Sequence, residues 1–130
     1  MRWYKKCQQG VSIWLDDNRD PSDPRIQYLF GAKGDEVWAK TSDEAINYLK
    51  QGNVRFISFD HDLDNRGQLP GEKEKNGALV ARWIEEQAFN GDISPMGWNV
   101  HSKNPVGGQE IVSAMTKAEE FWGTEDSSSK

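Results

Sequence analysis

The sequence predicts an α/β domain in which a short, mostly parallel sheet lies between two layers of helices. Apolar runs that are typical of buried strands alternate along the chain with stretches of helical periodicity. Such alternation predicts strand–helix–strand units with right-handed crossovers, and therefore parallel strands that are covered on both faces. A length of 130 residues is enough for one domain with a hydrophobic core.

Four apolar runs are the candidate strands. They span residues 11–15, 36–40, 54–59 and 97–100. The third run is rich in β-branched and aromatic residues and follows Gly52 and Asn53, which favours a buried strand in the middle of the sheet. The first run stops at Asp16 and the third at Asp60, so two predicted strands end in acidic residues.

Four helical segments separate and follow these strands. They span approximately residues 25–30, 42–51, 77–90 and 105–123. Thr41 or Ser42 can cap the free backbone N–H groups of the second helix, and Gly52 ends it. The third helix begins near Asn76, and Gly91 ends it.

The remaining segments set the expected domain limits. Residues 1–10 are interpreted as an N-terminal extension and residues 11–123 as a single domain. Residues 124–130 are polar and rich in serine, so we expect a disordered tail. Residues 65–75 are polar and include Gly and Pro, which is typical of a surface loop that can act as a lid.

Composition excludes several classes of protein. No apolar run approaches the roughly 20 residues that cross a bilayer, so we expect a soluble, cytoplasmic protein without a membrane partner. Cys7 is the single cysteine, which excludes an internal disulfide and fits a reducing compartment. A net charge of −5 disfavours strong nonspecific binding to nucleic acids. The oligomeric state is left open.

The predicted strand ends bring acidic and basic residues together. Ligands of open parallel sheets bind outside the carboxyl ends of the strands, at the switch point of the strand order. We predict the order 2-1-3-4, which makes the first and third strands neighbours. Asp16 and Asp17 then face residues 60–62 across the switch point, and residues 101–102 follow the fourth strand.

Converging carboxylates are suited to a hard divalent cation. Asp16, Asp17 and Asp60 are the candidate ligands, and Mg²⁺ or Mn²⁺ is the expected ion because both prefer oxygen ligands. Such a cation screens the charge of a phosphate and lowers the pKa of a bound water. His61 or His101 is the candidate general acid or base, since imidazole titrates near neutral pH.

Other polar residues at the strand ends are suited to a phosphate. Ser102 and Asn104 can donate hydrogen bonds to phosphate oxygens, and the start of the last helix adds backbone N–H groups. Arg19 is interpreted either as the counter-ion of Asp17 or as a phosphate ligand. Lys103 is interpreted as a solvated side chain.

A series of motifs gives the sequence a family resemblance. The motifs are Leu15-Asp-Asp-Asn-Arg-Asp-Pro21, Trp38-Ala-Lys-Thr41 with Glu44-Ala-Ile46, Ile57-Ser-Phe-Asp-His-Asp-Leu63, Asn76-Gly77 with Trp83-Ile-Glu85, and Val100-His-Ser-Lys-Asn-Pro-Val-Gly107. Their order resembles that of the cyclic-phosphate-processing receiver domain family over about residues 12–119. The most specific part is Asp-His-Asp-Leu followed by His-Ser-X-Asn-Pro.

The resemblance implies a receiver-like, flavodoxin-like α/β/α fold of three layers. It also implies the processing of cyclic phosphates, such as 2′,3′-cyclic ends of RNA or nucleotides, in RNA repair or in conflict between phage and host. The residues at the family's motif positions are Asp16, Asp17, Arg19, Asp60, His61, Asp62, His101, Ser102 and Asn104. Residues 64–75 form a longer connection than is usual in the family, and Asn76 replaces a common threonine.

The predicted site fits a metal-dependent hydrolase. The expected catalytic residues are Asp60, His61, Asp62 and His101. In this hypothesis a cation held by Asp16 or Asp17 with Asp60 positions the cyclic phosphate, and His101 or His61 handles the proton of the attacking water. Direct attack by Asp60 is the alternative, and it gives an aspartyl-phosphate.

Two other classes of function remain open. A signalling receiver accepts a phosphoryl group on the aspartate of its third strand, and Asp60 and Ser102 fit that arrangement. Such receivers also have a fifth strand with a following lysine, for which the sequence gives no convincing candidate, and Asp62 and His101 favour hydrolysis. A noncatalytic protein that sequesters a cyclic nucleotide or binds a partner protein is the third possibility.

Overall fold

A computed structural model describes residues 10–63 and 75–128, with side chains up to Gly123. The predicted N-terminal extension lies outside the described residues apart from Gly10, and the predicted lid lies outside them apart from Lys75. None of the described helices combines the length and the apolar character that crossing a membrane requires.

The described residues form a parallel sheet and four helices. The strands are β1 (Val11–Leu15), β2 (Val37–Ala39), β3 (Val54–Phe59) and β4 (Gly97–Val100), and the helices are α1 (Pro24–Phe30), α2 (Ser42–Gln51), α3 (Gly77–Asn90) and α4 (Pro105–Ser128). All strand pairs are parallel and the strand order is β2-β1-β3-β4. The predicted receiver-like α/β fold and its strand order are therefore confirmed.

Local hydrogen bonds explain where the helices begin. Thr41 Oγ1 accepts a hydrogen bond from the Glu44 N–H (3.1 Å), and Asn76 Oδ1 accepts one from the Leu79 N–H (3.0 Å). Each bond satisfies one N–H group that a helix start leaves without an intrahelical partner. Gly91 ends α3 in the left-handed conformation with φ of 77°, which glycine adopts at little cost.

The described part of α4 ends at Ser128. The domain limits, including a disordered tail over residues 124–130, stay a prediction. Residues 124–128 are polar, but they contain neither Gly nor Pro, and polarity alone does not end a helix. The last two residues, 129 and 130, lie outside the described part of the chain.

The main core lies on one face of the sheet. Ile13, Leu15, Ile57 and Phe59 alternate along β1 and β3, and each is completely buried. Apolar residues of α2, α3 and α4 belong to the same buried cluster, and α3 packs extensively against α4. This face therefore carries most of the hydrophobic stabilisation of the fold.

The second face of the sheet has a smaller cover. The connection from β1 to β2 crosses the sheet in the opposite direction to the later connections, so a right-handed crossover places α1 on this second face. No residue of α1 is buried, but Phe30 at its end meets the ring of His101 edge-on, with centroids 6.4 Å apart. The three layers are thus unequal.

Candidate functional site

The register of the sheet brings three side chains together at its carboxyl edge. Leu15 pairs with Phe59, and Phe59 pairs with Val100. The residues that follow these three strand ends are Asp16 after β1, Asp60 after β3 and His101 after β4. Backbone bonds continue the ladder, since the Asp60 N–H donates to the Leu15 carbonyl (2.8 Å) and the His101 N–H donates to the Phe59 carbonyl (2.9 Å). The predicted convergence of these strand ends is observed.

The Asp16 carboxylate accepts four hydrogen bonds inside the protein. Oδ1 accepts from the backbone N–H groups of Asn18 and Arg19, both at 2.9 Å. Oδ2 accepts from Arg19 Nη1 and from His101 Nε2, both at 3.0 Å. Burial of this side chain pushes its pKa up, but the bonds from His101, Arg19 and Asn18 outweigh burial, so the pKa of Asp16 lies below its ordinary value. Asp16 is therefore held as an anion.

His101 orients Asp16 from beneath the site. Its ring stacks on Trp14, with centroids 3.9 Å apart and planes 4° from parallel. Nε2 donates to Asp16, and Nδ1 lies 2.8 Å from the hydroxyl oxygen of Ser58. Both ring nitrogens are thus engaged within a buried layer, and His101 acts on the site through Asp16.

Asp60 is buried with less compensation for its charge. Its Oδ1 accepts a hydrogen bond from the His61 N–H at 2.9 Å, and its Oδ2 lies 3.7 Å from Arg19 Nη1. Burial and then the charge of Asp16 raise the pKa of Asp60 above its ordinary value, and the nearby His101, Arg19 and His61 N–H offset this only in part. The fold therefore keeps a carboxylate here at a cost in stability.

Asp17 completes a group of oxygen donors. Asp16, Asp17 and Asp60 each offer a carboxylate oxygen, and these oxygens lie within 4.8 Å of one another. Such a cluster is like that of receiver domains that bind a divalent cation, and hard carboxylate oxygens suit such an ion. Both oxygens of Asp16 already accept two hydrogen bonds each from the protein. Asp17 and Asp60 are therefore the residues of the cluster whose oxygens are more available to a cation. The donor set fits the group that the sequence predicts.

His61 and Asp62 form a second cluster beside the first. His61 Nδ1 donates to Asp62 Oδ1 at 2.8 Å, and Asn104 Nδ2 donates to the same oxygen at 3.2 Å. The bond from His61, assisted by that from Asn104, lowers the pKa of Asp62 below its ordinary value. Among the described residues, His61 Nε2 is buried without a hydrogen-bond partner, 3.5 Å from Glu110 Oε2. The cluster links the end of β3 to the first turns of α4.

Two short bonds fix the entry into α4. Asn104 Oδ1 accepts a hydrogen bond from the Gly107 N–H at 3.0 Å, as a helix cap does. Ser102 Oγ accepts one from the Asn104 N–H at 3.0 Å. Asn104 therefore caps α4 with one side-chain atom and contacts Asp62 with the other, while Ser102 shapes the turn before it.

A polar cleft of about 510 Å³ opens above these groups. The residues that line it are Asp16, Asp17, Asn18, Arg19, Asp60, Asp62, Lys103 and Asn104. The lining thus combines carboxylate oxygens with two cationic side chains. A cleft of this kind can hold a divalent cation and a phosphate next to each other.

A comparison with known families agrees with this arrangement. Residues 11–117 match the model of the family described as the cyclic-phosphate processing receiver domain. The chain belongs to this family. No curated protein matches the chain. The match runs from β1 into α4 and includes every residue of the cleft, so the resemblance found in the sequence is confirmed and a role in cyclic-phosphate processing is supported.

The structure sorts the predicted site residues of this receiver domain into two groups. The residues that line the cleft are Asp16, Asp17, Arg19, Asp60, Asp62 and Asn104. Those that lie outside the lining are His61, His101 and Ser102. His61 still contacts the cleft through Asp62, whereas His101 reaches it through the buried carboxylate of Asp16.

Two lining residues of the receiver domain were not predicted. Asn18 lines the cleft directly after the acidic pair, and its backbone N–H holds Asp16. Lys103, interpreted from the sequence as a solvated side chain, lines the cleft as well. The available signal was its position between Ser102 and Asn104, where it follows a strand end that faces the acidic cluster.

Proposed function

We propose that this receiver domain hydrolyses a cyclic phosphate in a reaction that depends on a divalent cation. The observation that carries the proposal is the composition of one cleft, in which Asp17 and Asp60 lie beside Arg19 and Lys103. The first pair supplies oxygen ligands for a cation and the second pair supplies partners for an anion. The family match supports the cyclic phosphate as the substrate class.

Asp17 and Asp60 would hold the cation, with Asp16 behind them, and Mg²⁺ or Mn²⁺ fits these oxygen donors. When bound, the cation supplies charge neutralisation for the phosphate and a lower pKa for a water molecule. Arg19 is fixed by Asp16 at 3.0 Å, so its remaining N–H groups can donate to a phosphate oxygen. Asn104 lines the same cleft and can donate a hydrogen bond to the leaving oxygen of the phosphate ester.

The proton of the attacking water is assigned to the Asp62–His61 pair. Asp62 lines the cleft and accepts a hydrogen bond from His61 Nδ1 at 2.8 Å, so the pair can take up a proton at that site. As the water oxygen bonds to phosphorus, one ring P–O bond breaks, and the proton that the pair took up passes to the ring oxygen, which leaves as a hydroxyl group. His101 is a positioning residue in this scheme, because both of its nitrogens are engaged elsewhere.

We further propose that the substrate is a 2′,3′-cyclic phosphate of a nucleotide or of an RNA end, with RNA repair or phage–host conflict as the setting. The test is ³¹P NMR of the purified protein with 2′,3′-cyclic nucleotides and with RNA that ends in a cyclic phosphate. The reactions contain Mg²⁺ or Mn²⁺, and parallel samples contain a chelator. Ring opening should require the metal, and the product resonances will show which bond breaks.

Matched variants make this test specific. Asp60→Asn should lower the rate by at least about 100-fold, since it removes an anionic oxygen ligand of the cation that screens the phosphate. Asp92→Asn is the control, because Asp92 is exposed after the end of α3 and does not line the cleft. Its rate should equal that of the wild type. Absence of turnover in the wild-type protein with every substrate would contradict the proposed hydrolysis.

One observation favours a phosphoacceptor module as the second candidate. The sequence argues against it because no lysine is found where signalling receivers have one, yet Lys103 lines the same cleft as Asp60. Intact mass after incubation with acetyl phosphate and Mg²⁺ separates the two functions. A lasting phosphoryl adduct that is absent in Asp60→Asn, without ring opening, would favour the module. Ligand affinity that survives a chelator, without turnover or adduct, would favour a sequestering protein.

A further inference from the structure

We propose that Lys103 is a substrate-binding residue and that Phe30 is the positioning residue that holds Lys103 and Arg19 at the mouth of the cleft. Neither Lys103 nor Phe30 is among the site residues that the sequence motifs indicate. The inference rests on the proposed function, because it proposes that Lys103 and Arg19 bind the phosphate of that substrate.

The geometry centres on one aromatic ring. Phe30 is the half-buried last residue of α1, which lies on the second face of the sheet. Arg19 Cζ lies 4.3 Å from the centre of its ring, and Lys103 Nζ lies 5.3 Å from the same centre. Both distances fall within the roughly 6 Å over which a cation is attracted to an aromatic face. One ring therefore contacts a cation from the loop after β1 and another from the loop after β4.

The ring is itself fixed from below. It meets the imidazole of His101 edge-on, at 6.4 Å between centroids and 73° between planes, and His101 in turn stacks on Trp14. The two cations thus contact the outermost of three adjoining rings, of which the inner two, Trp14 and His101, are buried. This arrangement limits the positions that the long Lys103 side chain adopts, which reduces the entropy lost when it binds an anion.

The two cations differ in how much of their charge is already neutralised. Arg19 forms an ion pair with Asp16 at 3.0 Å and lies 3.7 Å from Asp60. Within the described part of the chain, Lys103 forms no ion pair with a carboxylate, and it lines the cleft. An anion that enters the cleft therefore meets the charge of Lys103 without first displacing a carboxylate of the described residues. Lys103 should accordingly affect substrate affinity more than the rate of the chemical step.

The first experiment measures the dissociation constant of inorganic phosphate at fixed Mg²⁺, by NMR titration of the full chain. Lys103→Met should weaken binding about fivefold or more and reduce its salt dependence, and Lys103→Arg should retain most of the affinity. Lys117→Met is the charge-matched control, because Lys117 is exposed on α4 away from the cleft. It should bind phosphate like the wild type. Equal affinity for Lys103→Met and Lys117→Met would overturn the inference.

Phe30 is tested with a readout that does not depend on the substrate. In the wild type, ring currents should shift the Lys103 methylene resonances upfield, and Phe30→Leu should abolish that shift. Phe30→Leu should also weaken phosphate binding by about two- to fivefold, and Phe30→Tyr should restore it. Phe89→Leu, at an exposed aromatic residue that packs on Phe121, controls for loss of a surface ring. An unchanged Lys103 resonance in Phe30→Leu would overturn the positioning role.

Turnover separates this inference from the proposed function. With 2′,3′-cyclic AMP, Lys103→Met and Phe30→Leu should raise KM and leave kcat within about twofold of the wild-type value. A wild-type enzyme that turns over, with KM unchanged in both variants, would overturn the inference and leave the proposed function intact. A wild-type protein that neither binds phosphate nor opens the ring would overturn both.

Discussion

At the scale of single residues, the site depends on a contrast between two buried aspartates. Asp16 accepts four hydrogen bonds, whereas Asp60 has one backbone donor and a more distant guanidinium. The pKa of Asp16 is accordingly lowered and that of Asp60 is raised. Charge at Asp16 therefore stabilises the folded protein, and charge at Asp60 opposes folding until a ligand compensates it.

The first prediction concerns acid unfolding. Because the pKa of Asp16 is lowered in the folded state, its stabilising effect is complete above its ordinary value of 3.8 and is lost as pH falls through the lower folded value. Urea unfolding between about pH 5 and about pH 2 should show stability falling with pH in the wild type, and Asp16→Asn should flatten this fall. The same slope in both proteins would show that Asp16 titrates normally.

Sequence reasoning reached the acidic residues of the site but not all of their neighbours. Asp16, Asp60 and His101 could be predicted to meet, because each follows the last residue of a strand in a parallel sheet with a regular register. The orientation of the His101 ring could not be predicted, since it depends on stacking with Trp14. The contact of Lys103 with Phe30 could not be predicted either, because it joins residues that are far apart in the chain.

At the scale of elements, two helices begin directly against the carboxyl end of β3. The Gly77 N–H at the start of α3 donates to the His61 carbonyl at 2.8 Å. A side chain at Gly77 would meet the Asp60 carbonyl, and one at Gly107 in α4 would meet the His61 ring. Glycine is required at both positions by close packing. The starts of α3 and α4 therefore define where residues 60 and 61 lie.

The second prediction tests this packing. Gly77→Ala and Gly107→Ala should each lower the free energy of unfolding by about 2 kcal/mol, because the added methyl group overpacks the backbone or ring beside it. Gly108→Ala is the matched control in the same helix turn. Its methyl group would lie 3.7 Å from Val100 Cγ1, an ordinary contact, and alanine favours a helix by up to about 1 kcal/mol. Equal losses in Gly107→Ala and Gly108→Ala would contradict the packing argument.

The order of elements was predictable because each has a local signal. Caps at Thr41 and Asn76 and the glycines at 52 and 91 mark helix limits that the structure confirms within a residue or two. Residues 124–128, into which α4 continues, are polar and carry no such stop signal. Side-chain polarity indicates exposure, and it does not by itself define where a helix ends.

At the scale of the whole molecule, the sheet has a heavily packed face and a sparsely covered face. The core on the first face supplies the stability, with α2, α3 and α4 packed against β1 and β3. The second face supplies Trp14, Ser58 and His101, which support the cleft from below. The buried charge of Asp60 lowers the stability of the fold. The hydrophobic core that compensates for this loss lies mostly on the other face of the sheet.

The measurement that tests this view most directly is the free energy of unfolding of Asp16→Asn and Asp60→Asn at pH 7 without divalent cations. Asp16→Asn should lower it by about 3 kcal/mol, since it breaks a buried, fully bonded ion pair. Asp60→Asn should raise it by about 1 kcal/mol, because an amide keeps the bond from the His61 N–H and removes a charge that opposes folding. Changes of opposite sign would establish that the charge of Asp16 stabilises the fold and that the charge of Asp60 opposes it. A loss in Asp60→Asn as large as that in Asp16→Asn would contradict the distinction.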